Sequence, residues 1–141
     1  MKKQEGTALI EFALILPVLI MLVFLTTELG RAYYQYNTIT KGVREAARYL
    51  SVRAQGVGVA NAKNIIVYGN PAGTGSPVLS ALSLSNVPDP VWSTTGTYPV
   101  LNTVTVSVTG FTFVPLGGNV FGLNFTSIVF SPIQATMRSP S

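Results

Sequence analysis

The most constraining feature of the sequence is an apolar run close to its amino terminus. From Thr7 to Thr27 the chain carries one ionisable side chain, Glu11. A helix of this length would extend about 31 Å at about 1.5 Å per residue, and a bilayer hydrocarbon core is about 30 Å thick. Buried helices of soluble proteins seldom run past about 20 residues without polar positions on one face. The run therefore predicts a transmembrane helix over residues 7–27.

Two features of this run are not those of a simple anchor. Glu11 lies inside it, where an ionised carboxylate costs on the order of 2.5 to 3.5 kcal/mol, so a partner for its charge is expected. The residues before the run are few, since MKKQEG contains Lys2 and Lys3 and ends in Gly6. This leader, residues 1–6, is too short for the three regions of an ordinary secretory signal. Cleavage by an ordinary signal peptidase is therefore not expected.

A glycine followed at the fifth position by glutamate, with basic residues before and an apolar run after, resembles the leader of type IV prepilins. The continuation IEFALILPVL, with Phe12 after Glu11 and Pro17 beyond it, is similar to that of the TadE-like pseudopilins of the tight-adherence branch. The resemblance implies that a prepilin peptidase cuts between Gly6 and Thr7. Thr7 would then be the new amino terminus of a pilin-like subunit.

The chemistry that this pattern requires follows from the charges. Cleavage after Gly6 would create an α-ammonium at Thr7, one helical turn from Glu11. In a packed bundle the ammonium of one subunit would neutralise the carboxylate of its neighbour. A buried ion pair that loses one partner is unfavourable by about 3–5 kcal/mol in soluble proteins, so pairing would favour assembly and correct register. Glu11 is thus predicted to act in subunit assembly. The alternative is a glutamate close enough to the cytoplasmic boundary to reach the lipid headgroups.

The helix is predicted to continue beyond the membrane as an amphipathic segment over residues 28–56. Apolar residues recur there at intervals of three and four, which places them on one face of a helix. They are Leu29, Ala32, Tyr36, Ile39, Val43, Ala46 and Leu50. We expect a helix to about Ala54, with Gly56 placed to end it, and a bend at Pro17.

Residues 57–141 are predicted to form a small extracytoplasmic α+β head. Val59–Tyr68 has the pattern of a short helix ended by Gly69, and residues 71–90 that of a loop. Strands are predicted around residues 90–93, over 101–114 with a bulge at Gly110, over 123–130 and over 133–138. A sheet this small needs a helix against its apolar face. The predicted fold is therefore α+β and pilin-like, a long amino-terminal transmembrane-plus-amphipathic helix packed against a small antiparallel sheet.

Composition argues against an enzyme and against a nucleic-acid-binding protein. The chain has no histidine and no cysteine, and its carboxylates after the leader are Glu11, Glu28, Glu45 and Asp89. Usual metal sites and nucleophile–base pairs are therefore nearly excluded, and neither a metal nor a cofactor is expected. A net charge of +4 is too small and too dispersed to indicate nucleic acid as a partner. Lys2 and Lys3 before the run favour a cytoplasmic amino terminus.

Three interpretations remain open. The first is a minor pseudopilin, processed after Gly6 and assembled into or priming a Tad (type IVc) adhesive pilus, which is what the resemblance implies. The second is the main structural pilin of a type IV-like filament. The third is an uncleaved bitopic membrane protein with a small extracytoplasmic binding module. In the first interpretation the partners are the prepilin peptidase, other pilin or pseudopilin subunits and the inner membrane, and the assembled protein is extracellular.

Overall fold

The computed structural model describes residues 3–117, 119–120, 123–124 and 126–139. Its first element is the helix α1, Lys3–Ser51, which contains Pro17 without interruption. Residues such as leucine and alanine, which favour helices, fill much of its leading half. It ends three residues before the predicted end at Ala54, and the chain then turns through Gly56 and Gly58, which both have a φ of 81°. Lys2 of the leader lies outside the described residues.

The chain divides into two compact units, which are described separately. The first consists of Met1–Tyr33 together with Pro115–Thr126, and the second of Tyr34–Val114 together with Ser127–Ser141. In the first unit, strands β4 (Asn119–Val120) and β5 (Leu123–Asn124) pair in antiparallel orientation and form a hairpin. A segment near the carboxyl terminus of the sequence thus belongs to the same unit as the apolar run.

In the second unit, helix α2 follows α1 and packs closely against it. α2 is Val59–Tyr68, which confirms the predicted short helix. It ends at Gly69, whose φ of 72° is left-handed and whose N–H donates to the Ile65 carbonyl; glycine adopts this conformation without steric cost. A Cβ atom on Gly42 of α1 would lie 3.3 Å from the Cα of Ile66. The absence of a side chain at Gly42 therefore permits the two helices to approach.

The second unit also contains a three-stranded antiparallel sheet. Its strands, in the order β1–β2–β7, are Val91–Thr95, Leu101–Val108 and Ile133–Arg138. The predicted alternation is observed in β2, where Val104, Val106 and Val108 are buried. With the long apolar helix, this small antiparallel sheet confirms the predicted α+β fold.

The prediction of one bulged strand over residues 101–114 was wrong. β2 ends at Val108, Gly110 has a φ of 65°, and β3 (Thr112–Phe113) pairs with β6 (Ile128–Val129) in a second sheet. The side-chain amide of Asn86 donates to the carbonyls of Thr109 and Gly110 at 3.3 Å each. These bonds hold the chain in a turn at Gly110, so the run is divided between two sheets. The predicted strand over residues 123–130 is likewise divided, between β5 and β6.

The core of the second unit joins both helices to the three-stranded sheet. From α1 it takes Ile39, Val43, Ala46, Ala47 and Leu50. α2 contributes residues that include Ile66, and β2 contributes its three alternating valines. The predicted apolar stripe of α1 is buried only from Ile39 onward, because Leu29 and Tyr36 are exposed.

Candidate processing and assembly segment

The leading half of α1 exposes almost its entire apolar surface. Large apolar side chains are exposed at positions that surround the helix axis, namely Leu9, Ile10, Phe12, Leu14, Ile15, Leu16, Val18, Leu19, Ile20, Leu22 and Val23. The core helix of a soluble protein would bury most of such a surface. By length and composition, the helix over Gly6–Ser51 is sufficient to cross a membrane. This surface indicates membrane anchoring.

Gly6, the predicted processing residue, has no packing role in the fold. A Cβ atom at this position would have no neighbour within 4 Å. Glycine inside a helix is less favourable than alanine by roughly 0.5–1 kcal/mol. Neither local packing nor helix propensity therefore accounts for a glycine at position 6.

Thr7 and Glu11 lie on one face of α1, because residues four apart are neighbours on a helix surface. Both side chains are exposed. Among the residues that the structure describes, the Glu11 carboxylate has neither a hydrogen-bond partner nor an ion-pair partner. The single chain thus leaves this carboxylate available to a group from outside it. Gly6 and Thr7 precede Glu11 in the same exposed segment.

A second carboxylate, Glu28, was not singled out by the sequence analysis and has a different environment. Its residue is only 8% exposed. Both carboxylate oxygens accept hydrogen bonds from Arg31 Nη1, at 2.9 and 2.8 Å. Oε1 also accepts from the backbone N–H of Leu116 at 3.3 Å. The signal in the sequence was the spacing of an acid and an arginine by three residues at the end of the apolar run, which permits a pair on a helix.

No catalytic arrangement is visible in the described part of the chain. It contains no group of three or more histidine, cysteine, aspartate or glutamate residues close enough to hold a metal ion. A cavity of about 390 Å³ lies in the second unit between the end of α1 and the β1–β2 pair. Its lining side chains are neutral: Ala54, Gln55, Trp92, Ser93, Thr94, Asn102, Thr103 and Ser139. They include no acid, base or charged nucleophile.

The sequence of most of α1 matches the model of a known protein family. The family model described as TadE-like protein matches residues 6–48. This segment is TadE-like. The finding confirms the resemblance deduced from the leader and the apolar run, and the match begins at Gly6 itself. No curated protein and no solved structure matches the chain.

The TadE-like segment covers most of both halves of α1, and the α2 helix and the sheets lie outside it. The family indicates a protein associated with the Tad pilus, of a structural rather than an enzymatic kind. It also implies association with the membrane and with other pilin subunits.

Proposed function

We propose that this chain is a minor pseudopilin that is processed after Gly6 and is assembled into, or primes, a Tad (type IVc) adhesive pilus. The observation that carries the proposal is the TadE-like match, which begins at Gly6 and includes Glu11. The chain first resides in the inner membrane with its amino terminus in the cytoplasm and its α+β head outside. After assembly it is part of an extracellular filament.

The exposed surface of α1 suits both environments. In the bilayer, lipid chains cover the apolar side chains between Leu9 and Val23, which are exposed in the single chain. In a filament, apolar helices of other pilin or pseudopilin subunits replace the lipid. Removing this surface from contact with water is favourable by about 25 cal/mol per Å², so an environment without water is required in either state.

Processing after Gly6 is supported by the local structure. The Gly6–Thr7 bond lies in the first turns of α1, where the leading N–H groups have no partner within the helix. Such helix ends open at a small cost in free energy, so a peptidase can obtain an extended backbone there without unfolding the head. The prepilin peptidase is therefore proposed as the first partner of this chain.

Glu11 is proposed to pair with the α-ammonium that cleavage creates at Thr7 of a neighbouring subunit. The single chain gives the carboxylate no partner among its described residues, although an ionised carboxylate in the membrane costs on the order of 2.5 to 3.5 kcal/mol. A cation supplied during assembly lowers that cost. The cleaved amino terminus is the group of opposite charge that lies at the corresponding depth.

Mass spectrometry of the membrane fraction tests the processing step. We expect Thr7 at the amino terminus in cells that contain a prepilin peptidase, and Met1 at the amino terminus without it. Gly6→Leu should block this cleavage. Gly30→Leu is the matched control, because a Cβ atom at Gly30 of the same helix also meets nothing within 4 Å; this variant should be cleaved normally.

The same samples distinguish the other two interpretations. Retention of Met1 in functional material would contradict processing and favour an uncleaved bitopic membrane protein. Purified filaments composed mainly of this chain would contradict the minor role and favour the main structural pilin. A low and constant ratio of this chain to the principal subunit is the result expected of a minor pseudopilin.

A further inference from the structure

The cavity in the second unit has the size and access of a small-molecule site. Its volume is about 390 Å³, and ligand pockets typically enclose about 300–1,000 Å³. Its lining includes Ala54 and Gln55, which follow the end of α1 and are exposed. A small ligand therefore reaches the cavity from solvent without unfolding the head.

The three-stranded sheet contributes part of its inner face to this cavity. Trp92 pairs with Val104 in the register of β1 and β2, and Val104 is fully buried. Residues two apart share a face of a strand, so Thr94 lies on the same face as Trp92. Asn102 pairs with Thr94 and lies on that face too. An indole, a hydroxyl and an amide are thus grouped on one side of the sheet.

The chemistry of the lining restricts the class of ligand. Its residues, all within the described part of the chain, carry no charged side chain. Phosphate and carboxylate ligands are usually bound by arginine or lysine, and metal ions by carboxylates, histidine or cysteine. Charged ligands would lose hydration here without compensation. Hydroxyl and amide groups both donate and accept hydrogen bonds, which suits a neutral ligand that carries hydroxyl groups.

Trp92 adds an unsatisfied donor to this lining. Within the described residues, its indole Nε1 is the one buried side-chain nitrogen or oxygen that has no hydrogen-bond partner. A buried donor without an acceptor costs free energy, and such groups are rare in folded proteins. The indole is half-buried and packs against the core of the second unit. Trp92 thus combines an apolar ring with a donor that lacks an acceptor.

We propose that this cavity binds a neutral sugar ring. The C–H face of the sugar packs on the indole of Trp92, and its hydroxyl groups bond to the amides of Gln55 and Asn102 and to the hydroxyl of Thr94. A sugar oxygen accepts the hydrogen bond from Trp92 Nε1 after a small rotation of the indole. This activity is separate from pilus assembly, because it requires neither cleavage after Gly6 nor a second subunit.

The single tryptophan of the chain provides a direct test. The full chain, with isotope-labelled tryptophan, gives one indole N–H resonance by NMR in micelles of a detergent without a sugar headgroup. Glucose, galactose, mannose and N-acetylglucosamine are the probes. At least one should shift this resonance with saturation. A dissociation constant on the order of 1 mM is expected, because a small ligand has few atoms that contribute to binding.

Charged analogues test the class of ligand. Galacturonate differs from galactose, and glucosamine from N-acetylglucosamine, chiefly by a charge. Each should bind at least about tenfold more weakly than its neutral counterpart, because the cavity has no counter-charge. Methyl glycosides of the neutral sugars represent the end of a glycan chain. If they bind as well as the free sugars, the site accepts a glycan terminus; if only the free sugars bind, it accepts a small soluble sugar. Both results support a neutral-sugar site.

Two glutamines provide a matched pair of variants. Gln55→Ala removes an amide from the lining and should weaken binding by roughly three- to tenfold. Gln134→Ala is the control, because Gln134 is exposed on β7 and does not line the cavity. Ala54→Phe, at an exposed position of the lining, should fill the cavity and abolish the shift of the indole resonance.

Three results would overturn the inference. If no neutral sugar shifts the indole resonance, or glycerol shifts it equally and without saturation, the cavity is not a sugar site. If a charged analogue binds more tightly than its neutral counterpart, the class of ligand is wrong. If Gln55→Ala and Gln134→Ala bind equally well, the sugar binds elsewhere. None of these results changes the amino terminus found by mass spectrometry, so failure of this inference is distinguishable from failure of the proposed function.

Discussion

The two halves of α1 have opposite relations to the rest of the chain. In the leading half, side chains such as Leu14 and Leu19 are exposed; in the trailing half, Ile39, Val43 and Leu50 are almost fully buried. The trailing half has its partners within the same chain, in α2 and the sheet. The leading half has few, and therefore requires lipid or another subunit. A single helix thus combines a segment that stabilises the head with a segment that is available for association.

Two carboxylates of α1, Glu28 and Glu11, show a similar contrast at the level of charge. Glu28 is buried and accepts hydrogen bonds from Arg31 and from the backbone of Leu116. Glu11 is exposed and has no partner among the described residues. A charge with internal partners stabilises the folded chain, whereas a charge without them favours a complex that supplies one. The two halves should therefore respond differently to matched substitutions.

The largest difference is expected for leucine-to-alanine substitutions in the two halves. Leu50 is 1% exposed and Leu19 is 55% exposed. Leu50→Ala removes buried methylene groups and leaves a cavity, so the free energy of unfolding of the head should fall by about 2–5 kcal/mol. Leu19→Ala should leave it within about 0.5 kcal/mol. Denaturant unfolding in detergent micelles measures both, with the fluorescence of the single tryptophan, Trp92, as the probe.

Equal losses of stability in Leu50→Ala and Leu19→Ala would contradict the division of α1. Such a result would mean that the leading half has an intramolecular role in holding the head. The midpoint for each variant should be compared at one detergent concentration, because the exposed half of α1 binds detergent.

A smaller difference is expected between two glycines of the same helix. A Cβ atom at Gly42 would lie 3.3 Å from backbone Cα of Ile66, whereas at Gly30 it would meet nothing within 4 Å. Gly42→Leu must therefore separate α1 from α2, and overpacking of this kind typically costs about 1–3 kcal/mol. Gly30→Leu should be neutral or slightly stabilising, because leucine favours helices more than glycine does. Thermal unfolding followed by circular dichroism distinguishes the two variants. If Gly42→Leu leaves the melting temperature unchanged, α2 can move away from α1 without a loss of stability.

Much of this architecture was predictable because its signals are local. The apolar run, the bounds of α2 with Gly69 after it, and the alternating valines of β2 all depend on residues adjacent in sequence. The TadE-like resemblance rested on the same kind of signal, from Gly6 through Pro17. Where a helix or strand is determined by its own residues and the glycine that follows it, periodicity is sufficient to locate it.

The features that were missed depend on residues distant in sequence. The turn at Gly110 is held by Asn86, more than twenty residues earlier, so the pattern of residues 101–114 alone could not show that two sheets divide it. Leu116 donates a hydrogen bond to Glu28 from a position far along the chain, and a periodic pattern of neighbouring residues cannot predict such a contact. The roles of Gly6, Thr7 and Glu11 stay predictions for a related reason, since each concerns a second molecule.

A modest effect is expected when the internal partners of Glu28 are weakened. Glu28→Gln keeps the size of the side chain and one acceptor oxygen, but it removes the negative charge opposite Arg31. Solvent screens this ion pair because Arg31 is partly exposed. The free energy of unfolding should therefore fall by about 1 kcal/mol. Hydrogen exchange of the Leu116 amide in micelles should accelerate by roughly fivefold.

Glu45→Gln is the matched control for this substitution, because Glu45 is an exposed glutamate of the same helix. Its variant should leave exchange at Leu116 unchanged. If Glu28→Gln also leaves it unchanged, the hydrogen bond to Glu28 does not contribute to the position of Leu116.

The smallest effect on the isolated chain is expected at Glu11, where the proposed functional effect is large. Glu11→Ala removes an exposed carboxylate that has no partner in the described chain, so the free energy of unfolding should change by less than about 0.5 kcal/mol. Cleavage after Gly6 should continue. Incorporation into filaments should nevertheless fall sharply, because the α-ammonium of Thr7 in a neighbouring subunit loses its counter-charge, and immunoblots of sheared pili against the membrane fraction measure this ratio. Glu45→Ala removes an equivalent charge from the exposed face of the head helix and should assemble normally. Normal incorporation of Glu11→Ala would contradict the pairing hypothesis, because assembly would then not require a carboxylate opposite the α-ammonium of Thr7.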